Sequence, residues 1–244
     1  MKNTFLLLLI FFYFFSCKNK TTPKSTNTSK INLEELEKQG FEAFQKNPKA
    51  AIPIFIEVAT KAATAKDVKK AGLTNLNIAN IYDEYVDKKD SALWFANQSL
   101  EIWKQADDTL QQANLYKYIG LLQGKIGSFD KAKTNIETAI SFYEKKNFMQ
   151  GKAVAEFNLA DVYLQEGDTK KSMELFYKST KFWKEKEKMD RVFSNNLFGI
   201  ELFEKMGAKE NIQILIEENN KLLPTLKFND FLKNKYNTLM EKHN

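Results

Sequence analysis

The sequence predicts an all-α fold, a solenoid of antiparallel helix pairs closed by a C-terminal capping helix. Three observations predict it. Gly127, Gly167 and Gly207 recur every forty residues, as do Gly120, Ala160 and Ile200, and Ile136, Phe176 and Ile216. Each of these Gly turns is flanked by two amphipathic stretches with helical spacing. Only nine Gly and four Pro occur in 244 residues, which favours helix over a loop-rich fold. A helical hairpin that cannot bury its own apolar face must stack on its neighbours. Such a stack presents a surface rather than a reaction centre.

The N-terminus is of different material. Lys2 precedes eleven consecutive apolar or aromatic residues, Phe5 to Phe15, and Ser16 and Cys17 follow at once. The run is shorter than the ~20 residues a spanning helix needs and matches the apolar region of an export signal. An uncleaved signal anchor with an incidental Cys is the other reading such a run allows. With a single Cys in the chain, no intramolecular disulfide can form. Residues 18–30, KNKTTPKSTNTSK, hold no apolar side chain except Pro23 and read as a flexible linker, with Lys residues able to lie near anionic headgroups.

The repeats occupy residues 31–223 as five hairpins. Leu36, Gly40 and Phe44, then Ala51, Phe55 and Val58, form a weak first unit, and Pro53 is expected near the beginning of its second helix. Asn75, Ile78, Ala79 and Tyr82, then Ala92, Ala96 and Ser99, form the second, with a turn lengthened around Asp87 to Asp90. The third is clearest. Tyr116, Ile119, Gly120 and Gln123 lie on its first helix, Gly127 makes the turn, and Ala132, Ile136, Ala139 and Ile140 share one face of its second. Leu159, Ala160 and Tyr163 with Ser172, Phe176 and Ser179 make the fourth. Asn196, Gly199, Ile200 and Phe203 with Ile212 and Ile216 make the fifth. Gly120 is expected to face the partner helix at a close crossing. Pro224 ends the last pair, and residues 224–244 carry a final amphipathic stretch (Phe228, Phe231, Leu232, Tyr236, Leu239) expected to cap the stack or, alternatively, to dock on a partner.

Two resemblances follow. The string FFYFFSCKNK resembles a bacterial lipoprotein signal peptide. It implies removal of residues 1–16, diacylglycerol attachment to the Cys17 sulfur, and a cell-envelope location. With Lys18 after the Cys, the outer membrane facing the periplasm is favoured. The string YKYIGLLQGKIGSFDKAKTNIETAI resembles the tetratricopeptide repeat family, over about residues 32–222. The resemblance implies a right-handed superhelix. The period of forty departs from the family's usual ~34, and the extra residues are expected in longer second helices and longer joins.

The same resemblance implies a protein or peptide partner along the concave face lined by the first helices. Register places Asn80, Asp83 and Glu84 there in the second unit, and Lys117, Leu121 and Lys125 in the third. Phe157, Asp161 and Gln165 follow in the fourth, then Leu197, Glu201 and Lys205 in the fifth. One subclass grips a terminal carboxylate with repeated Lys and Asn. Lys117 fits, but Leu121 stands in the Asn position and Leu76 in the earlier Lys position, so that function is not carried over.

Catalytic chemistry is sparse. The one His, His243, is next to last, in a tail expected to fray. There is no His/Cys metal cluster, phosphate loop or dinucleotide fingerprint. The adjacent pairs Asp107-Asp108 and Glu217-Glu218 cannot face each other on a helix. No catalytic residue, metal or cofactor is expected. A net charge of +6 spread along the chain is too diffuse for nucleic acid. Trp94, Trp103 and Trp183 are expected to pack between helices rather than stack on sugars. The function expected is a membrane-tethered interaction module, with a glycan- or small-ligand-binding lipoprotein as the alternative.

Overall fold

The computed structural model describes residues 33–226 and 230–243, and the side chains of all of these except Asp230 and Phe231. The expected signal peptide (1–16), the expected lipidation site Cys17, the expected linker (17–30) and Phe228 lie outside the described residues.

Ten helices run in five antiparallel pairs: α1 (Leu33–Lys46) with α2 (Pro48–Thr64), α3 (Val68–Glu84) with α4 (Lys89–Gln105), α5 (Thr109–Lys125) with α6 (Phe129–Lys145), α7 (Met149–Glu166) with α8 (Thr169–Glu185), and α9 (Met189–Met206) with α10 (Lys209–Leu222). A 3-10 turn, Leu223–Thr225, and α11 (Asp230–His243) follow. Each helix packs on the next in order, giving a tetratricopeptide-like solenoid with no strand among the described residues.

The period of forty is taken up by helix, not by joins. From α2 to α9 every helix has 17 or 18 residues, and the turns between them are two to four residues long, so the expected longer joins are absent. Each helix is ~25 Å long at ~1.5 Å per residue. Within hairpins the turn reaches left-handed φ at Gly127 (+76°), Gly167 (+99°) and Gly207 (+69°), with Asp87 (+55°) in the same role. Between hairpins a second left-handed series, Lys66, Asp107, Asn147 and Glu187, uses no glycine at all. Side chains of Asn47, Asp67, Asp108 and Asp168 cap the helices that follow, each accepting a backbone N–H two or three residues on.

Pro53 departs from expectation. Asn47 and Pro48 start α2 five residues earlier than Pro53, which therefore lies inside the helix. It is exposed there, so water can meet the Lys49 carbonyl that its missing N–H leaves free.

Close crossings hold the hairpins. A Cβ on Gly120 would lie 2.6 Å from Ile136 Cγ1 and 2.9 Å from the Ala132 carbonyl oxygen; one on Gly40 would lie 2.7 Å from the Phe55 ring. Ala132, Ile136 and Ala139 are fully buried against α5 and α7. At the last position of this face, polar side chains reach across instead. Ser99 Oγ donates to the Gly72 carbonyl (2.8 Å), Ser179 Oγ to that of Ala153 (3.0 Å) and Asn219 Nδ2 to that of Phe193 (3.4 Å).

The C-terminal helix returns to the stack. Tyr236 and Leu239 are buried in the terminal core, the Tyr236 ring 5.2 Å from that of Phe193 and its hydroxyl donating to Asn220 Oδ1 at 2.6 Å. His243, expected in a frayed tail, instead meets the stack. Its Nε2 lies 2.9 Å from Glu204 Oε1, because α11 runs along α9 to its end.

Candidate functional site

The first helix of every pair (α1, α3, α5, α7 and α9) contributes to the face where a ligand was expected. The structure divides that face in two. Its C-terminal half is occupied by contacts within the protein. Phe157 stacks edge-on against Phe198 at 4.9 Å and joins the terminal core. Asp161 accepts from Gln165 Nε2 at 3.0 Å. Burial pushes the Asp161 carboxyl above the ordinary carboxylate range and the charge of Glu201 adds to that, against the pull of the Gln165 bond and of Lys235 and Lys205. Glu201 pairs with Lys235 of α11 at 2.9 Å, and Lys205 Nζ donates to the Leu164 carbonyl at 3.2 Å. Leu197 is buried.

In the middle, Lys125 is also committed. Its Nζ meets both carboxylate oxygens of Asp83, at 2.9 and 2.7 Å, and Lys89 approaches the same group at 3.0 Å. Asp83 is only 4% exposed at its side chain. Burial alone would raise its pKa, but the bonds from Lys125 and Lys89 outweigh this and hold it below the usual range. The group ties α3 to α5 and to its own turn.

The N-terminal half is open. Asn80 and Glu84 line a cavity of about 290 Å³ between α1 and α3, with Phe41, Phe44, Phe55, Asn77, Ile81 and Tyr85. Phe41 stands edge-on to Phe55 at 5.2 Å and Phe44 to Tyr85 at 5.3 Å, so the rings hold one another and leave the cavity between them. No hydrogen bond or ion pair joins Asn77, Asn80 or Glu84 to another side chain among the described residues. Lys117, on the next first helix, is half-buried and equally without a partner there. Burial lowers its pKa from the ordinary lysine value, and the charge of Arg191 lowers it further.

Sequence register thus placed Asn80, Glu84 and Lys117 on the open half and the other six candidates on contacts that support the fold. It missed the aromatic wall. Phe41 occupies the groove position in α1 that Asn80 occupies in α3, and the one available signal was the Gly40 crossing beside it. Tyr85 follows α3 directly, ahead of the lengthened turn.

The tryptophans divide as well. Trp103 and Trp183 are buried at 6% exposure, as expected of packing residues. Trp94 corrects the expectation. It is 57% exposed, edge-on to Phe95 at 4.6 Å, and lines a shallow groove of about 470 Å³ between α2 and α4 with Thr60, Thr64 and Gln98. The acidic pairs are structural at Asp108, which caps α5, and at Glu218, which takes Lys184 at 2.6 Å. Among the described residues, no group of three His, Cys, Asp or Glu could hold a metal ion. No described helix is long and apolar enough to cross a membrane.

Comparison with known proteins bears on the fold. No protein-family model matches the chain, and no curated protein sequence does. Solved structures do match. The nearly identical TPR-like repeats of a kinesin light chain protein from Podosopora anserina superpose with a TM-score of 0.62 at 13% identity, covering 80% of this chain and 97% of that one. The apo form of RapI gives 0.68 at 13% identity, covering 80% and 55%. A Rap protein complexed with competence and sporulation factor gives 0.65 at 17% identity, covering 80% and 54%, so the chain spans about half of the Rap chains. These likenesses define a tetratricopeptide-like helical repeat protein by fold.

Proposed function

We propose that this chain is a non-catalytic interaction module that binds an extended segment of a protein or peptide across α1, α3 and α5. One observation carries this reading: an aromatic cavity stands open, lined by Asn80 and Glu84, with Lys117 on the next first helix, and none of the three has a side-chain partner among the described residues. Amide side chains offer both donor and acceptor to a peptide backbone, and spaced pockets take its side chains. The likeness to a Rap protein solved with competence and sporulation factor supports the choice of ligand by analogy of fold. The proposal includes a tether. Phe5 to Phe15 and Cys17 support export and lipidation, which would hold the module in a bacterial cell envelope, on the periplasmic side of the outer membrane. Partner copurification from detergent-solubilised membranes tests the first part, and loss of the partner on Glu84→Lys supports it. Intact mass tests the second, and a full-length N-terminus with unmodified Cys17 overturns it.

Trp94 favours a second reading. An exposed indole beside Thr60, Thr64 and Gln98 suits a glycan or small ligand. Quenching of tryptophan fluorescence by oligosaccharides, abolished by Trp94→Ala, supports it; an unchanged spectrum removes it.

A further inference from the structure

Most charges along the groove are matched inside the protein. Glu37 pairs with Lys70, Asp83 with Lys125 and Lys89, and Glu201 with Lys235. Glu84 and Lys117 stand out because they have opposite signs, lie on neighbouring first helices, and meet neither each other nor any other charged side chain within ion-pair distance among the described residues. Their separation follows from the architecture. Glu84 is the last residue of α3, sixteen places after Val68, whereas Lys117 is eight places after Thr109 at the start of α5. Eight positions amount to ~12 Å along a helix axis, and neighbouring helices stand ~10 Å apart. The two backbone positions are therefore ~16 Å apart, about five residues of extended chain at ~3.3 Å each. The cavity beside Glu84, about 290 Å³, lies at the small end of ligand sites and suits one large apolar side chain.

We infer that the groove takes an extended peptide with a defined order of charge: a large apolar side chain and a basic group at the α1–α3 cavity, and an acidic group about five residues along it at Lys117. The inference rests on the proposed interaction function. Glu84 supplies the anion beside the aromatic wall. Asn77 and Asn80 supply donors and acceptors for the intervening backbone. Lys117 supplies the cation, in a neighbourhood to which Arg191 adds a second positive charge. A peptide of reversed order would set like charges against each other at both ends.

The test is selection from a displayed library of random peptides, using the chain from residue 18 onward. That chain keeps the compact unit Asn32–Asn244 with all five buried clusters. Enriched peptides are expected to share an apolar residue next to Arg or Lys, with Asp or Glu about five residues away. Glu84→Lys and Lys117→Glu are each expected to weaken them about tenfold or more, with the double variant preferring peptides of reversed charge order. Circular dichroism verifies that the variants stay helical. Enriched peptides without that order, or with affinity unchanged in both variants, overturn the inference and leave the interaction function standing. Failure to enrich any peptide overturns both.

Discussion

The crossing at Gly120 gives the sharpest prediction about the fold. Gly120→Ala places a methyl carbon 2.6 Å from Ile136 Cγ1 and 2.9 Å from the Ala132 carbonyl oxygen. Ile136 is fully buried, and Ala132 belongs to the backbone of α6, so neither yields without moving the helix. Overpacking of this kind costs ~1–3 kcal/mol. Alanine returns ~1 kcal/mol over glycine as a helix former. Two contacts under 3.0 Å, one of them to backbone, put the cost at ~2–3 kcal/mol, so the net effect is a loss of ~1–2 kcal/mol, or a few degrees in Tm at ~2–4 °C per kcal/mol for a chain of this size. Gly124→Ala, one turn further along α5, is the control. Its methyl carbon meets Val162 Cγ2 at 3.1 Å and nothing else closer than 3.8 Å, so the helix gain there matches or exceeds the cost. Urea unfolding followed by circular dichroism measures both. Gly120→Ala as stable as the parent chain, or equal to Gly124→Ala, refutes the close crossing.

Four further outcomes are expected. Lys117→Met should stabilise the fold at neutral pH while weakening partner binding; because burial lowers the folded-state pKa of Lys117, the unfolded chain binds the proton more readily, and the gain should shrink as pH rises through that lowered value toward the ordinary lysine pKa, as pH-dependent melts would show. Asp161→Asn should also stabilise at neutral pH. Its folded-state pKa is raised, so the folded chain binds the proton more readily, and the advantage of the Asn variant should fade as pH drops through the raised value toward the ordinary carboxylate pKa. Asp83 has the opposite sign. Its folded-state pKa lies below the unfolded value, so its contribution is present above the ordinary carboxylate pKa and lost as pH falls through the lowered one, and acid titration of Asp83→Asn should lack that loss. Glu187→Gly should gain ~0.5–1 kcal/mol, since relief of left-handed strain (~1–2) exceeds the entropy cost of glycine (~0.5–1), measured by urea midpoint.

The hairpin order was legible in the sequence because its markers are residues with few alternatives. Gly127, Gly167 and Gly207 sit at positive φ, and Gly120 sits where a Cβ meets a carbonyl. The turns between hairpins left no such mark. Lys66, Asp107, Asn147 and Glu187 share the same left-handed geometry with four different side chains, so the short joins could not be read and longer joins were expected beside the longer second helices. The site was half legible. Register put Lys125, Glu201 and Lys205 on the first helices but could not show that Asp83, Lys235 and the Leu164 carbonyl already occupy them. Those partners lie 34 to 42 residues away, which no local pattern reports. The aromatic wall was missed because Phe41 and Tyr85 belong to no repeated apolar position, and their 47% and 54% exposure is set by the packing around them.

The proposed function places a partner on the open half of the groove and not on the half bound up with α11. Copurification from detergent-solubilised membranes, with three forms of the chain compared by mass spectrometry, tests it most directly: the parent, a Glu84→Lys and Lys117→Glu double variant, and a Glu201→Lys variant. A specific partner is expected to be retained by the parent and by Glu201→Lys and lost from the double variant. A partner retained by the double variant and lost only from Glu201→Lys would contradict it.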